Sequence, residues 1–298
     1  MKEVFTMWRH TNMIVLVALS AAMYAALLIP FQSIPIIPGH VSLRVADILP
    51  VAFGMLFGPA GAWGVAIGNL IGDFFGTLSP GAIGGFVAGF MNAFLSYKLW
   101  NALSPLRDMG LKLNSGPRML RYQVSQLIRQ CGITVVLTFW VALTLGLAPA
   151  EFYFVAVLIP GAITAGLITP VILRIIYPRI RKWGLLWTDI MEPEEVSAGR
   201  FRKVGFALTT VGALGGVASL IIAMFVLGIP SGDIVVRLLP IPFLVLLFGG
   251  SVLMGGREQV MAMEQEREDD MNARRRRSKR AGFPPPDDLP NESASTTS

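Results

Sequence analysis

The chain has 298 residues, 53% hydrophobic and only 15% charged, with a formal net charge of +6 and a mean hydropathy of +0.60. A soluble domain carries about 25% charged residues; here the charges gather between long apolar runs, which excludes an ordinary soluble enzyme and indicates an all-α, polytopic helical membrane protein. No ten-residue alternating strands suggest a β-barrel, the single Cys131 excludes an internal disulfide or a cysteine metal site, and the two histidines, His10 and His40, form no metal motif.

Residues 1–12 are short and basic, with Lys2 and Arg9, and the first apolar run extends from Met13 to Ile29. A signal peptide would have this outline, but the run flows into Pro30 without a clear cleavage site. Ala18, Ala22 and Ala26 recur every four residues, with Ala21 and Ala25 as a parallel row. Such a row either packs within the chain or forms a docking face for another membrane protein. Residues 30–44 hold three prolines and a glycine and read as a non-helical loop with His40 and Arg44 near its end. Asp47 then opens the next span, where it suits the helix dipole.

Between Val45 and Gly76 only Asp47 and Asp73 are charged. The tetrapeptide Phe57, Gly58, Pro59, Ala60 divides this stretch into two helices joined by a tight turn, the first too short for a bilayer that requires about 20 residues. In the second helix Gly64, Gly68, Gly72 and Gly76 form a smooth ridge, and Asn69 and Asp73 share a face about 100° round from it. An amide and a carboxylate in so apolar a helix are costly unless they meet a wet cavity or a partner. They read either as a ligand site or as a helix cap (Asp73) and an interhelical hydrogen bond (Asn69). A fourth span covers Gly81 to Trp100, with Gly81, Gly85, Gly89 and Ala93 as a ridge expected to face that of the third, and Asn92 between helices.

Residues 98–129 are polar and basic; a fifth span covers Gly132–Leu147, and a sixth covers Phe152–Tyr177 with kinks at Pro160 and Pro170. Residues 178–204, with Trp183 and Trp187, suit an interfacial linker. Two additional spans occupy 205–256, and the tail 257–298, containing the run Arg274–Arg280, reads as disordered. Eight spans place both termini on one side. All but Arg44 and Arg237 of the 25 lysines and arginines then fall on that side, which predicts cytoplasmic termini. The proline loop, His40, Arg44, Asp47 and Asp73 gather at the outer face, with Asn69 one turn deeper.

The stretch MYAALL…VSLRVADILPVAFGMLFGPAGAWGVAIGNLIGDFFG…GAIGGFVAGF resembles the substrate-binding S components of energy-coupling factor (ECF) transporters, and is most similar to the queuosine-precursor (QueT) branch. There an Arg-x-x-acid motif opens the second helix, and a Gly-Asn pattern, here GNLIGD, marks the third. The resemblance implies a six-helix core over 1–177 that captures a vitamin-like heterocycle at the outer face of a bacterial cell (inner) membrane. It also implies docking, through Ala18, Ala22 and Ala26, on an ECF transmembrane coupling protein driven by two cytoplasmic ATPase subunits. The expected substrate-binding set is Arg44, Asp47, Asn69, Asp73, His40 and Asn92. No catalytic residue, metal or cofactor is expected, and no nucleic-acid partner. The two extra C-terminal transmembrane helices depart from the family pattern, as does Asp47, where a longer acid is expected. The alternative is a membrane scaffold with an S-component-like fold that binds a partner protein and no small molecule. A lipid-modifying membrane enzyme is disfavoured because no paired acid, histidine or metal constellation is present.

Overall fold

The structure, a computed structural model, describes residues 1–32, 35–37, 41–42, 48–76, 78–105, 109–199 and 201–280, with backbone alone at 31–32, 35–37, 41–42, 270 and 273–280. His40, Arg44 and Asp47 lie outside the described residues, as does the tail from 281.

A one-turn helix α1 (Lys2–Thr6) leads into α2 (Thr11–Gln32). Pro30 falls inside the last turn of α2, where it removes one helical N–H without ending the helix, which outlasts the expected end at Ile29. The proline segment that follows carries a short antiparallel pair, β1 (Pro35–Ile37) and β2 (Val41–Ser42). Next come α3 (Leu49–Phe57) and α4 (Pro59–Phe75), joined at Gly58. Gly58 has φ +53°, and a Cβ there would lie 2.5 Å from the ring of Trp187, so the turn requires glycine twice over. Pro59 starts α4 at a position whose N–H has no helical partner anyway.

α5 (Gly81–Leu103) is followed by α6 (Gly116–Leu137), which continues as a wider π-helical turn over Thr138–Thr144. α7 (Ala150–Ile163) and α8 (Thr169–Lys182) are joined by a second π stretch, Thr164–Ile168, lying between Pro160 and Pro170. The rest comprises α9 (Trp187–Ile190), α10 (Arg202–Leu220), α11 (Ile234–Leu238), α12 (Pro240–Leu253) and α13 (Arg257–Arg280). Among the described residues, five stretches are long and apolar enough to cross a membrane: Thr11–Pro30, Gly116–Thr144, Ala150–Ile190, Arg202–Val226 and Ile234–Asp269. α3 and α4, with 9 and 17 residues, are short; α5 has 23 residues but carries Asn92, Ser96 and Lys98.

Glycines set the packing. The Gly64 and Gly68 face of α4 lies on α2: a Cβ at Gly64 would meet the Val17 carbonyl at 2.9 Å, and one at Gly68 the Ala21 carbonyl at 2.7 Å. The Gly85 and Gly89 face of α5 lies instead on Val65, Ala66, Asn69 and Asp73 of α4. The expectation that the two glycine ridges face each other is therefore corrected. Each ridge meets a side-chain-bearing face, because a smooth ridge accepts small protruding residues better than another smooth ridge. α3 packs on α5, α6 on α5, α7 and α10, and α10 on α12. Gly212 and Gly216 of α10 approach α12 and α6 in the same manner, against Leu247 and Val135.

Three further expectations change. Residues 116–129, read as loop, form the first half of α6, and Arg129, counted among the loop cations, is 2% exposed. The segment 178–204 is not uniformly interfacial: Trp183 is exposed, but Trp187 is buried beneath the Gly58 turn and packs on Tyr97 at 5.3 Å. Residues 257–280, read as disordered, are helical; Val260 and Met263 of α13 are buried, and Glu266 pairs with Arg181 of α8 at 2.9 Å.

The end of the bundle that holds the N-terminus is closed by a buried ion pair between Glu3 of α1 and Lys98 of α5. Lys98 Nζ also donates to the Met254 carbonyl at 2.7 Å, and Ser197 donates to Glu3 from its hydroxyl (2.8 Å) and its backbone N–H (3.2 Å). Asn101 donates to the Gly255 carbonyl at 2.8 Å. Segments from the start, middle and end of the chain thus meet at one node. Buried charges persist only when they are paired and hydrogen-bonded in this way.

Candidate functional site

α4 ends with its polar face against α5. Asn69 is 6% exposed, Asp73 is half-buried, and the Asn69 amide donates to the Asp73 carboxylate at 3.2 Å. Gly85 makes room for the pair, since a Cβ there would stand 2.5 Å from Asn69 Nδ2 and 3.3 Å from Asp73 Oδ2. Asp73 sits in the last turn of α4, where the helix dipole disfavours a carboxylate, and α5 has no side-chain cap. Asp73 therefore does not cap α5.

Asn92 lies seven residues beyond Gly85, on the same stripe of α5 and about 10 Å further along it. Its side-chain oxygen accepts a short hydrogen bond from Arg129 of α6. Arg129 also donates through Nε to Gln126 and through Nη2 to Gln130, each at 2.9 Å. Gln130 donates an amide N–H to the Val157 carbonyl of α7 at 2.9 Å, and the absent side chain of Gly161 leaves space for it.

The kinked α7–α8 segment explains why so polar a helix lies here. Pro170 has no N–H, and the π stretch before it leaves carbonyls without the usual helical donor. Tyr122 donates to the Ala165 carbonyl and Gln123 to the Gly166 carbonyl, both at 2.7 Å. The polar stripe of α6 thus satisfies backbone groups that the proline kink exposes in the apolar interior.

Of the sequence-derived set, the structure places Asn69 and Asp73 together at the α4–α5 contact and Asn92 at the α5–α6 contact. His40, Arg44 and Asp47 lie outside the described residues. Ala18, Ala22 and Ala26 lie on the exposed face of α2, beside exposed Val15, Leu19 and Met23, whereas Ala21 and Ala25 are buried. Sequence reasoning missed Tyr122, Gln123, Gln126, Arg129 and Gln130. A signal was present: Leu120, Val124 and Leu127 alternate with these residues at helical spacing and are exposed. A helix with polar residues inside and apolar residues outside suits lipid surroundings.

The family comparison bears on this arrangement. The description "QueT transporter" matches residues 14–178, more than half of the chain. The chain belongs to the QueT transporter family. It is a membrane-embedded, substrate-specific transporter component and not an enzyme. The match takes in α2 through most of α8, and with them both polar clusters, while α9 to α13 lie beyond it. No curated protein and no solved structure matches the chain.

Proposed function

We propose that the QueT-family chain is the S component of an ECF-type transporter, binding a queuosine precursor or a related vitamin-like heterocycle for ATP-driven uptake across a bacterial cell membrane. The observation that carries this reading is the placement of polar side chains within the matched segment. They collect along one stripe of α5, at its contacts with α4 and α6, instead of scattering over the bundle. Asn69 offers an acceptor and its second amide N–H to a heterocycle edge, and Asp73 an acceptor for a ring N–H or an amine. His40 and Arg44 from the proline loop and Asp47 from the start of the next span complete the proposed set, and Arg129 holds Asn92 in position.

In this reading the chain crosses the membrane eight times with both termini in the cytoplasm, because that arrangement puts nearly all the cations on one side. The exposed row Ala18, Ala22, Ala26 is the docking face for the transmembrane coupling protein, which two cytoplasmic ATPases drive. Its support is that a row of small residues on the outer face of α2 lets another helix approach closely.

Titration calorimetry of the purified chain with a queuosine precursor tests the site. Wild type is expected to bind, and Asn69→Ala and Asp73→Ala to weaken binding at least about tenfold, the loss of one charge-assisted hydrogen bond. Unchanged affinity in both variants overturns the site assignment. Failure of any small heterocycle to bind or co-purify would favour the scaffold alternative.

A further inference from the structure

We propose that the groove between the segment preceding α6 and the C-terminal half of α8 is a binding site for the headgroup of an anionic phospholipid. The cavity has a volume of about 460 Å³ and is lined by Leu111, Lys112, Leu113, Asn114, Arg174 and Tyr177, among others. Among the described residues, no carboxylate lines it. Glu266, on the neighbouring α13, is engaged by Arg181.

The walls are held in place. Arg174 donates from Nε (2.8 Å) and Nη2 (2.5 Å) to the Leu113 carbonyl, which fixes its guanidinium plane. Arg118 donates to the Lys112 carbonyl at 3.1 Å and to Asn114 Oδ1 at 3.0 Å, which fixes the segment from the other side. Leu111 and Leu113 are buried, so the alternate side chains Lys112 and Asn114 point outward. With its oxygen taken by Arg118, Asn114 presents its amide N–H groups. The remaining polar groups are therefore donors or cations: Lys112 Nζ, the Asn114 amide and Arg174 Nη1. Such a set takes an anion.

Two observations make that anion a lipid headgroup. The groove lies where the exposed surface of α8 changes from apolar (Val171, Ile175 and Ile176) to basic (Arg179 and Lys182), with exposed Trp183 just beyond. This change marks the headgroup level of a bilayer. The floor, built from Leu111, Leu113 and Tyr177, is apolar and suits a glycerol backbone better than a hydrated inorganic ion.

The full-length chain, purified in dodecyl maltoside, would be examined by native mass spectrometry with added phosphatidylglycerol, phosphatidylcholine or glycerol 1-phosphate. Phosphatidylglycerol is expected to be retained in preference to phosphatidylcholine. Lys112→Gln, at an exposed position outside the packing, should lower its retention about fivefold, the typical worth of one cation at an anionic surface. The Lys112→Gln/Arg174→Gln pair should abolish the preference. Lys182→Gln, one turn beyond the groove, should leave it intact. Equal retention of the two lipids overturns the proposal, as does an effect of Lys182→Gln matching that of Lys112→Gln. Displacement of phosphatidylglycerol by glycerol 1-phosphate at equal concentration would assign the groove to a soluble anion and overturn the lipid reading.

Discussion

The bundle contains two buried polar centres, and they are built on opposite principles. At the N-terminal end, Glu3 and Lys98 neutralise each other, and Ser197 and the Met254 carbonyl add hydrogen bonds to the pair. Along the α5 stripe, Asn69 donates to Asp73 at 3.2 Å, and Arg129 is held by the side-chain oxygens of Asn92, Gln126 and Gln130. The first centre joins segments nearly two hundred residues apart through full charges and backbone, which leaves a ligand little to replace. The second relies heavily on amides, each with both donors and acceptors, which can exchange one partner for another at small cost. One centre is a clasp; the other has the makings of a receptor.

The sharpest way to break this contrast is to remove half of the clasp. Lys98→Ala leaves the Glu3 carboxylate buried without its cation and should destabilise the fold by about 3–5 kcal/mol. Chemical denaturation in detergent measures the loss. The paired change Glu3→Leu/Lys98→Met, apolar on both sides, should recover most of it. A Lys98→Ala variant as stable as wild type would mean that the node does not clasp the chain.

Acid should open the same clasp with a slightly smaller effect. Burial by itself raises the Glu3 carboxyl, but the Lys98 ammonium and the α-ammonium of Met1 outweigh burial and hold its pKa at about 2, against 4.5 for a free glutamate. A folded-state pKa below the unfolded one makes the contribution fully present above 4.5 and lost as pH falls towards 2. The difference corresponds to about 3 kcal/mol. Stability measured from pH 6 to pH 2 should fall through this window in wild type and much less in Glu3→Leu/Lys98→Met.

The two centres also differ in how far the sequence reveals them. The Gly58–Pro59 turn, the short helix before it (α3) and the polar face of α4 can all be read locally, because turn chemistry and four-residue spacing are local properties. The stripe of α6 is hidden for a physical reason. Gln123, Gln126, Arg129 and Gln130 lower the local hydropathy as a loop would, and what makes them tolerable lies on other helices: carbonyls freed near Pro170, and Asn92. Glu3 looks like any solvated residue near a terminus until Lys98, ninety-five positions away, is found against it. α13 hides similarly, since its buried Val260 and Met263 are few among many charges. Hydropathy records what a residue costs in isolation, and a folded chain supplies partners from a distance.

On the receptor side, Arg129→Met should cost less than breaking the clasp. Asn92, Gln126 and Gln130 would each lose a donor, but amides can turn to one another, so about 1–3 kcal/mol is expected. Ligand affinity should fall with it, because Asn92 loses the group that orients it. Arg129→Lys, which keeps the charge but not the fork of donors, should recover stability only in part. A loss as large as that of Lys98→Ala would erase the distinction between the centres.

The smallest structural effect, and the most telling, belongs to Asp73→Asn. Asp73 is half-buried in the last turn of α4, where its charge opposes the helix dipole, and its bond from Asn69 is 3.2 Å long. Removing the charge relieves the dipole and keeps an oxygen for Asn69, so stability should change by less than about 1 kcal/mol. Unchanged stability in this variant would assign the charge a role other than folding. Binding of a queuosine precursor should therefore weaken at least about tenfold in a variant that melts with wild type. A variant that binds as wild type does, or that loses binding only because it unfolds, would turn Asp73 into one more packed residue and leave Asn92 and Arg129 as the place to look for the ligand.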